Sequence, residues 1–83
     1  MIATINNIQD VETFFKDLYN EGVSAHPDDD FNDYINYETN EATYTVEEAI
    51  VRNELMNRSF IVCENASIDI YELMAQIYLI DLK

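Results

Sequence analysis

The chain has few basic residues. Lys and Arg together contribute four of its 83 residues, against 17 Asp and Glu, which gives a formal net charge of −13 at pH 7. Nucleic acids and anionic membrane surfaces attract positive charge, so this composition argues against direct binding to either. It favours a basic partner, and a protein that itself binds nucleic acid is one such partner. Solubility alone is the other explanation of the acidity.

Cys and His, which often act as nucleophiles, bases or metal ligands, occur once each. Gly and Pro, which shape loops and turns, also occur once each. Cys63, inside the apolar segment FIVCENA, cannot form an intramolecular disulfide and is predicted to be a buried small hydrophobe. His26 precedes Pro27 in a predicted loop. The sequence contains no zinc-ligand spacing, glycine-rich phosphate loop or nucleophile elbow. We therefore expect a protein without catalytic activity or cofactor.

Long apolar runs are absent as well. No segment approaches the roughly 18 apolar residues of a membrane span. The N-terminal MIATINNIQDVE lacks the basic start of a signal peptide. At 48% hydrophobic residues, the composition nevertheless suits a folded protein. The sequence predicts one small cytoplasmic domain over residues 1–83.

The first predicted helix covers about residues 8–21. Two capping arrangements compete for its start, Asn6 with Gln9 and Asn7 with Asp10. Gly22, the only glycine, suits the left-handed position that follows a helix. Apolar residues recur at helical spacing, namely Ile8, Val11, Phe14, Phe15, Leu18 and Tyr19.

Two further helices are predicted, over about 46–64 and 70–81, which makes the expected fold mostly α, a compact three-helix domain. Thr45 and Glu48 form a capping-box pattern at the start of the second helix, and Asp69 with Glu72 forms one at the start of the third. The second helix is expected to bury a broad apolar face made of Ala49, Ile50, Leu55, Met56, Phe60, Ile61 and Cys63.

The third helix, within IYELMAQIYLIDL, is apolar on almost every side. A helix of this kind is either central to a core or part of an oligomer interface. A homodimer interface is therefore a candidate role for Leu73, Met74, Ile77, Tyr78 and Ile80.

Many charges have a local explanation. Acids at helix starts are favoured by the helix dipole, and these are Asp10, Glu12, Glu47, Glu48, Asp69 and Glu72. Each internal basic residue has a glutamate four positions earlier, which predicts the pairs Glu12–Lys16, Glu48–Arg52 and Glu54–Arg58.

The connector between the first two helices, residues 23–44, holds acids that helix starts do not explain. They are Asp28, Asp29, Asp30, Asp33, Glu38 and Glu41, and no basic residue lies between Asp17 and Val51. The weak alternation of residues 34–44 is compatible with a short β-hairpin. A long connector in a small domain is either functional or disordered.

Aromatic residues stand among these acids. Phe31, Tyr34 and Tyr37 are spaced by three, and Tyr44 follows. They can pin the connector onto the helices, or exposed Tyr side chains can serve as anchors for an arginine-rich partner. Both roles can hold together.

Calcium binding is an alternative reading of the same segment. Asp28, Asp30 and Asn32 match the first three ligand positions of an EF-hand loop. Asp33 then replaces the turn glycine and Thr39 replaces the bidentate glutamate. We expect no specific metal site, and at most diffuse cation binding.

The strings PDDDFNDYIN, TYTVEEA and DIYEL, within residues 27–73, resemble small acidic proteins of unknown role that bacterial conjugative and other mobile elements carry. That resemblance implies a bacterial cytoplasmic accessory protein and transfers no catalytic residues. In size and charge the chain is also similar to nucleic-acid-mimic inhibitors, a likeness of composition only.

The sequence thus favours a non-catalytic module that binds a basic, nucleic-acid-binding protein through an anionic surface, as an inhibitor or regulator. The candidate contact residues are Asp28, Asp29, Asp30, Asp33, Tyr34, Tyr37, Glu38, Glu41, Glu47 and Glu48. The alternative is a helical homo-oligomer or scaffold that associates through the third helix, its acidity serving solubility.

Overall fold

The computed structural model describes residues 1–22, 26–34 and 44–81, with only the helical backbone for residues 79–81. The fold has three α-helices, α1 (Ile8–Asn20), α2 (Val46–Asn65) and α3 (Ile70–Asp81). A short 3₁₀ helix, Phe31–Tyr34, lies between α1 and α2. The described residues contain no β-strand, and the mostly helical fold is as predicted. The segment compatible with a hairpin, residues 34–44, lies outside the described part except for its two end residues.

The ends of α1 follow from short-range hydrogen bonds. The Asn7 side chain accepts from the Asp10 amide at 2.9 Å, and the Asp10 carboxylate accepts from the Asn6 amide at 2.9 Å. Of the two predicted caps, the structure therefore uses Asn7 with Asp10. At the other end Gly22 adopts a φ of 83°, which confirms its predicted left-handed position.

The start of α2 is as predicted, and the start of α3 is so only in part. At α2 the Glu48 amide donates to the Thr45 hydroxyl at 3.2 Å and the Thr45 amide donates to the Glu48 carboxylate at 3.0 Å, which completes the capping box. At α3 Asp69 caps the helix by accepting from the Tyr71 amide at 2.9 Å. The Glu72 carboxylate accepts from Gln76 Nε2 at 3.5 Å instead of completing the predicted box.

The turn between α2 and α3 is a Schellman motif. The Ser67 amide donates to the Glu64 carbonyl at 3.1 Å, and the Ile68 amide donates to the Cys63 carbonyl at 2.9 Å. Ser67 has a φ of 57°, in the left-handed region that glycine usually occupies. This turn sets the direction in which α3 returns across the molecule.

The core is built from all three helices and from the segments outside them. Val11, Phe14, Phe15 and Leu18 of α1 are fully buried. Full burial of such a side chain contributes about 1.5–3 kcal/mol. The remaining core side chains are Ile5, Phe31, Tyr44, Ala49, Leu55, Met56, Val62, Cys63, Ile70, Met74 and Ile77. Cys63 is buried, as predicted, and burial raises the pKa of its thiol.

The buried face of α2 differs from the predicted one. Ile50 and Ile61 are 48% and 47% exposed, whereas Arg52 and Ser59 are buried. The Ser59 hydroxyl donates to the Leu55 carbonyl at 2.8 Å, so its burial leaves no unpaired donor. Because α2 carries apolar side chains on two sides, its hydrophobic pattern alone does not select the side that meets α1.

The apolar face of α3 is largely used within one copy of the chain. Met74 and Ile77 lie in the core, and Leu73 and Tyr78 pack against it. Met74 and Ile77 are therefore buried within one copy of the chain. The dimer interface through this helix stays a prediction, and the side chain of Ile80 lies outside the described part. Within the described ranges, no helix has both the length and the apolar character needed to cross a membrane.

Candidate protein-interaction surface

The described part of the connector, residues 26–34, is fastened to α2 by Asn53. The Phe31 amide donates to Asn53 Oδ1 at 3.0 Å, and Asn53 Nδ2 donates to Asp30 Oδ1 at 2.9 Å. The same carboxylate accepts from the Asn32 amide at 2.9 Å. Hydrogen bonds from Asn32 and Asn53 lower the pKa of Asp30 below its ordinary value. Asp30 therefore shapes the connector in addition to carrying exposed charge.

Asp29 has a similar internal role. Its Oδ2 accepts from the His26 amide at 2.9 Å and from the Tyr34 hydroxyl at 3.0 Å. Burial, and then the hydrogen bond to Asp29, raise the pKa of Tyr34 to about 12. The ring of Tyr34 packs 5.8 Å from that of Phe31 and 6.1 Å from that of Tyr44. These ring contacts pin the connector to the core, which is one of the two predicted aromatic roles, and they leave Tyr34 half-buried.

Asp28 links the connector to α3. The Tyr71 hydroxyl donates to Asp28 Oδ1 at 2.6 Å, which joins residues 43 positions apart. The Tyr71 ring lies 5.5 Å from that of His26 and 6.1 Å from that of Phe60, measured between centroids. The hydrogen bond to Asp28 is the main reason that the pKa of Tyr71 is raised.

Tyr71 is the surface aromatic that sequence reasoning missed. Its side chain remains 44% exposed beside the carboxylates of Asp28 and Asp69. No pattern within α3 indicates the contact with Asp28, because the connector meets α3 only in the folded chain. An exposed ring beside carboxylates is the arrangement that the sequence predicts for Tyr34 and Tyr37.

Arg52 is withdrawn from the surface. Arg52 pairs with Glu21, with an NH2–Oε2 distance of 2.5 Å, and its NH1 donates to the Glu48 carbonyl at 3.0 Å. The predicted pairing with the Glu48 carboxylate is thus replaced by one with Glu21. The guanidinium carbon lies 4.2 Å above the Tyr44 ring, and the Tyr44 hydroxyl donates to Glu21 at 3.0 Å.

Burial and the carboxylate of Glu21 set the pKa values of Arg52 and Tyr44. Burial opposes the charge on Arg52, but its hydrogen bond with Glu21 and the charge of Glu21 outweigh that effect and raise its pKa. Burial, and then the bond to Glu21, raise the pKa of Tyr44 to about 12. Arg52 is only 5% exposed, so its charge neutralises Glu21 rather than the connector.

Asp33 and Glu47 present their carboxylates to solvent. Both residues are exposed, and no hydrogen bond within the described residues engages either carboxylate. Glu48 is exposed as well, but its carboxylate returns to the Thr45 amide, which lowers the pKa of Glu48. Asp33 and Glu47 are therefore the predicted contact residues whose carboxylates hold no part of the described connector in place, although Glu47 also lies in the first turn of α2, where the helix dipole favours an acid.

Three predicted contact residues, Tyr37, Glu38 and Glu41, lie outside the described residues. In the described ranges, no group of three or more His, Cys, Asp or Glu side chains is arranged to hold a metal ion. The described surface is thus an acidic connector fixed to α2 and α3, on which Asp28, Asp33 and Glu47 are exposed and Asp28 lies beside the exposed ring of Tyr71.

The fold and this surface define a small, mostly helical acidic protein. Comparison of the chain with protein-family models, with curated proteins and with solved structures finds no match. The resemblance to acidic proteins of mobile elements stays a prediction.

Proposed function

We propose that the chain is a non-catalytic interaction module that binds a basic protein in the cytoplasm and inhibits or regulates it. The observation that carries the proposal is the contrast between the exposed carboxylates of Asp28, Asp33 and Glu47 and the buried guanidinium of Arg52. A protein with a nucleic-acid-binding groove fits this surface, because such a groove already carries dense positive charge.

Little positive charge is left to neutralise the described surface. Of the three basic residues in the described part of the chain, Arg52 is buried against Glu21, the Nε of Arg58 donates to the Ile5 carbonyl at 3.0 Å, and Lys16 is exposed on α1. Salt screens exposed charges over about 8 Å at physiological ionic strength. Binding driven by this surface should therefore have a fast association rate that falls steeply with salt.

The hydrogen bonds of the connector separate the acids that hold its shape from the acids that can be changed in a binding test. Asp29 and Asp30 accept hydrogen bonds that hold the connector in place, so their loss would alter its shape as well as its charge. Asp33 and Glu47 can be changed with little effect on those bonds. Tyr71 joins the proposed contact set as an aromatic anchor, since exposed aromatic rings often carry binding energy.

The test compares two variants of equal charge change. D33K/E47K reverses charge on the proposed surface, and E12K/E72K reverses it on the groove between α1 and α3, which Glu12 and Glu72 line. Each tagged chain captures proteins from a lysate of the native host at low and high salt, and mass spectrometry identifies them. A basic protein that wild type and E12K/E72K capture at low salt, and D33K/E47K does not, is the expected result. Equal capture by all three would refute the proposal.

The alternative of a homo-oligomer through α3 has less support, because Met74 and Ile77 are already buried within one copy. Sedimentation at several protein concentrations tests it. A concentration-dependent dimer that Leu73→Lys disrupts, without any basic partner, would favour this alternative.

A further inference from the structure

The outward face of α2 carries an apolar stripe that the core does not use. Val46, Ile50 and Ile61 are 46%, 48% and 47% exposed. Val46, Ile50, the polar Asn57 and Ile61 are separated by four, seven and four residues, and an α-helix brings such positions onto one face. At 1.5 Å per residue the stripe is about 22 Å long.

Val46, Ile50 and Ile61 are not the residue types that best stabilise an exposed helix position. β-Branched side chains lose rotamer freedom in a helix, and Ala, Glu, Lys or Gln would stabilise an exposed position better. Scattered apolar side chains are normal on a protein surface, but here three bulky ones share one face of one helix. A partner that covers this face would account for them.

Carboxylates line one side of the stripe and approach the other side through side-chain contacts. Glu47 and Glu54, seven residues apart, follow one edge. Asn53 and Phe60, also seven apart, follow the other edge. Asn53 donates a hydrogen bond to Asp30. Phe60 contacts the ring of Tyr71, whose hydroxyl donates to Asp28, so the second edge adjoins the acidic connector at two points. Tyr71 therefore stands beside the stripe, between it and the acidic connector.

We propose that the α2 stripe is the docking site for an amphipathic basic helix of the partner, with apolar residues on the stripe and Arg or Lys on both flanks. This inference rests on the proposed function and names the segment of the partner that is bound. A helix of about 15 residues matches the length of the stripe. Recognition of this kind uses anchors at helical spacing with flanking charges that set the orientation.

Charge decides against a second copy of the chain as the occupant. In a two-fold dimer the same surface would meet itself. The carboxylates of Glu47, Glu54, Asp28 and Asp30 would then face one another around the apolar contact. Like charges placed together in this way disfavour the complex, whereas Arg and Lys on a partner helix would each meet a carboxylate.

The test uses two synthetic peptides of the same composition, built from Leu, Ala and Arg. The patterned peptide has Leu along one helical face with Arg on both flanks, and the scrambled peptide distributes Leu around the helix. Isothermal titration at low salt measures the binding of each to the full chain. The stripe variant is I50Q/I61Q, in which Gln favours helix. The matched control is V51Q, which changes an exposed aliphatic residue of α2 that points about 100° away from Ile50.

The expected result is that the patterned peptide binds more tightly than the scrambled one. I50Q/I61Q should then weaken it about tenfold or more, which corresponds to about 1.4 kcal/mol, while V51Q leaves it unchanged. Equal binding of both peptides, unaffected by I50Q/I61Q but weakened by D33K/E47K, would overturn the docking site and leave the proposed function standing. Self-association that I50Q/I61Q abolishes would overturn it too, since the occupant would be a second copy. Absence of peptide binding at low salt also overturns it, and the lysate capture then decides the proposed function separately.

Discussion

The guanidinium of Arg52 and the carboxylate of Glu21 form an ion pair that joins the end of α1 to the second turn of α2, across 31 residues of sequence. Glu21 is the C-cap of α1, where the helix dipole disfavours negative charge. Arg52 offsets that effect and places its own guanidinium over the Tyr44 ring. The pair therefore stabilises the junction from which the connector departs.

Removal of Arg52 should destabilise the fold. We expect R52Q to lower the free energy of unfolding by about 1.5–3 kcal/mol, because Glu21 and Tyr44 would lose their charged partner. Urea denaturation followed by circular dichroism measures the change. The control is R58Q, which removes an exposed guanidinium whose Nε bonds to the Ile5 carbonyl and should cost about 0.5–1 kcal/mol. A loss for R58Q as large as that for R52Q would contradict this account of the Arg52 pair.

Removal of the Asn53 side chain should loosen the connector, whereas removal of the neighbouring Asn57 side chain should not. We expect N53A to cost about 1–2 kcal/mol and to speed hydrogen exchange at the Phe31 amide, which donates to Asn53. N57A, at an exposed position of the same helix, should be neutral or slightly stabilising because Ala is the better helix former. Amide exchange by nuclear magnetic resonance checks both variants, and unchanged protection of Phe31 in N53A would refute the role of Asn53.

Two tyrosines should make the protein sensitive to alkaline pH. The pKa values of Tyr34 and Tyr44 are raised from 10.0 to about 12, so the folded state holds their protons more tightly than the unfolded state. Their contribution to stability is fully present below pH 10 and is lost as pH rises through about 12.

Urea denaturation over a series of alkaline pH values, with tyrosinate absorbance as a second signal, measures this dependence. Y44F keeps the ring over which Arg52 lies and removes the titrating hydroxyl. It should therefore show a shallower alkaline decline than wild type, and an identical slope would count against the raised pKa of Tyr44.

Glycine in place of Ser67, in the turn after α2, should stabilise the protein. Ser67 adopts a φ of 57°, which costs an L-residue roughly 1–2 kcal/mol. Allowing for the greater entropy of glycine in the unfolded chain, S67G should raise the free energy of unfolding by about 0.5–1 kcal/mol.

The adjacent A66G is the matched control for that turn. Ala66 has a φ of −92°, which any residue adopts, so A66G should destabilise by about 0.5–1 kcal/mol. Thermal or urea denaturation of the two variants gives the comparison. Changes of the same sign would show that strain at Ser67 does not limit stability.

Local sequence determined the helices of this protein and most of their ends. The capping box of Thr45 and Glu48, the cap at Asp69 and the left-handed Gly22 each involve residues within a few positions of one another. Such bonds form wherever the chain enters or leaves a helix, so their residues are readable without knowing the rest of the fold. The start of α1 was open between two caps only because Asn6 and Asn7 offer the same chemistry one position apart.

Tertiary structure decided which charges and which apolar side chains reach the surface. Asp28, Asp29 and Asp30 read from sequence as unexplained charge, yet each accepts a hydrogen bond, and the donors on Asn53 and Tyr71 come from other helices. The hydrophobic effect has no direction, so α2, with apolar residues on two sides, could have buried either one. Packing against α1 settled the matter by burying Arg52 against Glu21, and left Ile50 and Ile61 outside.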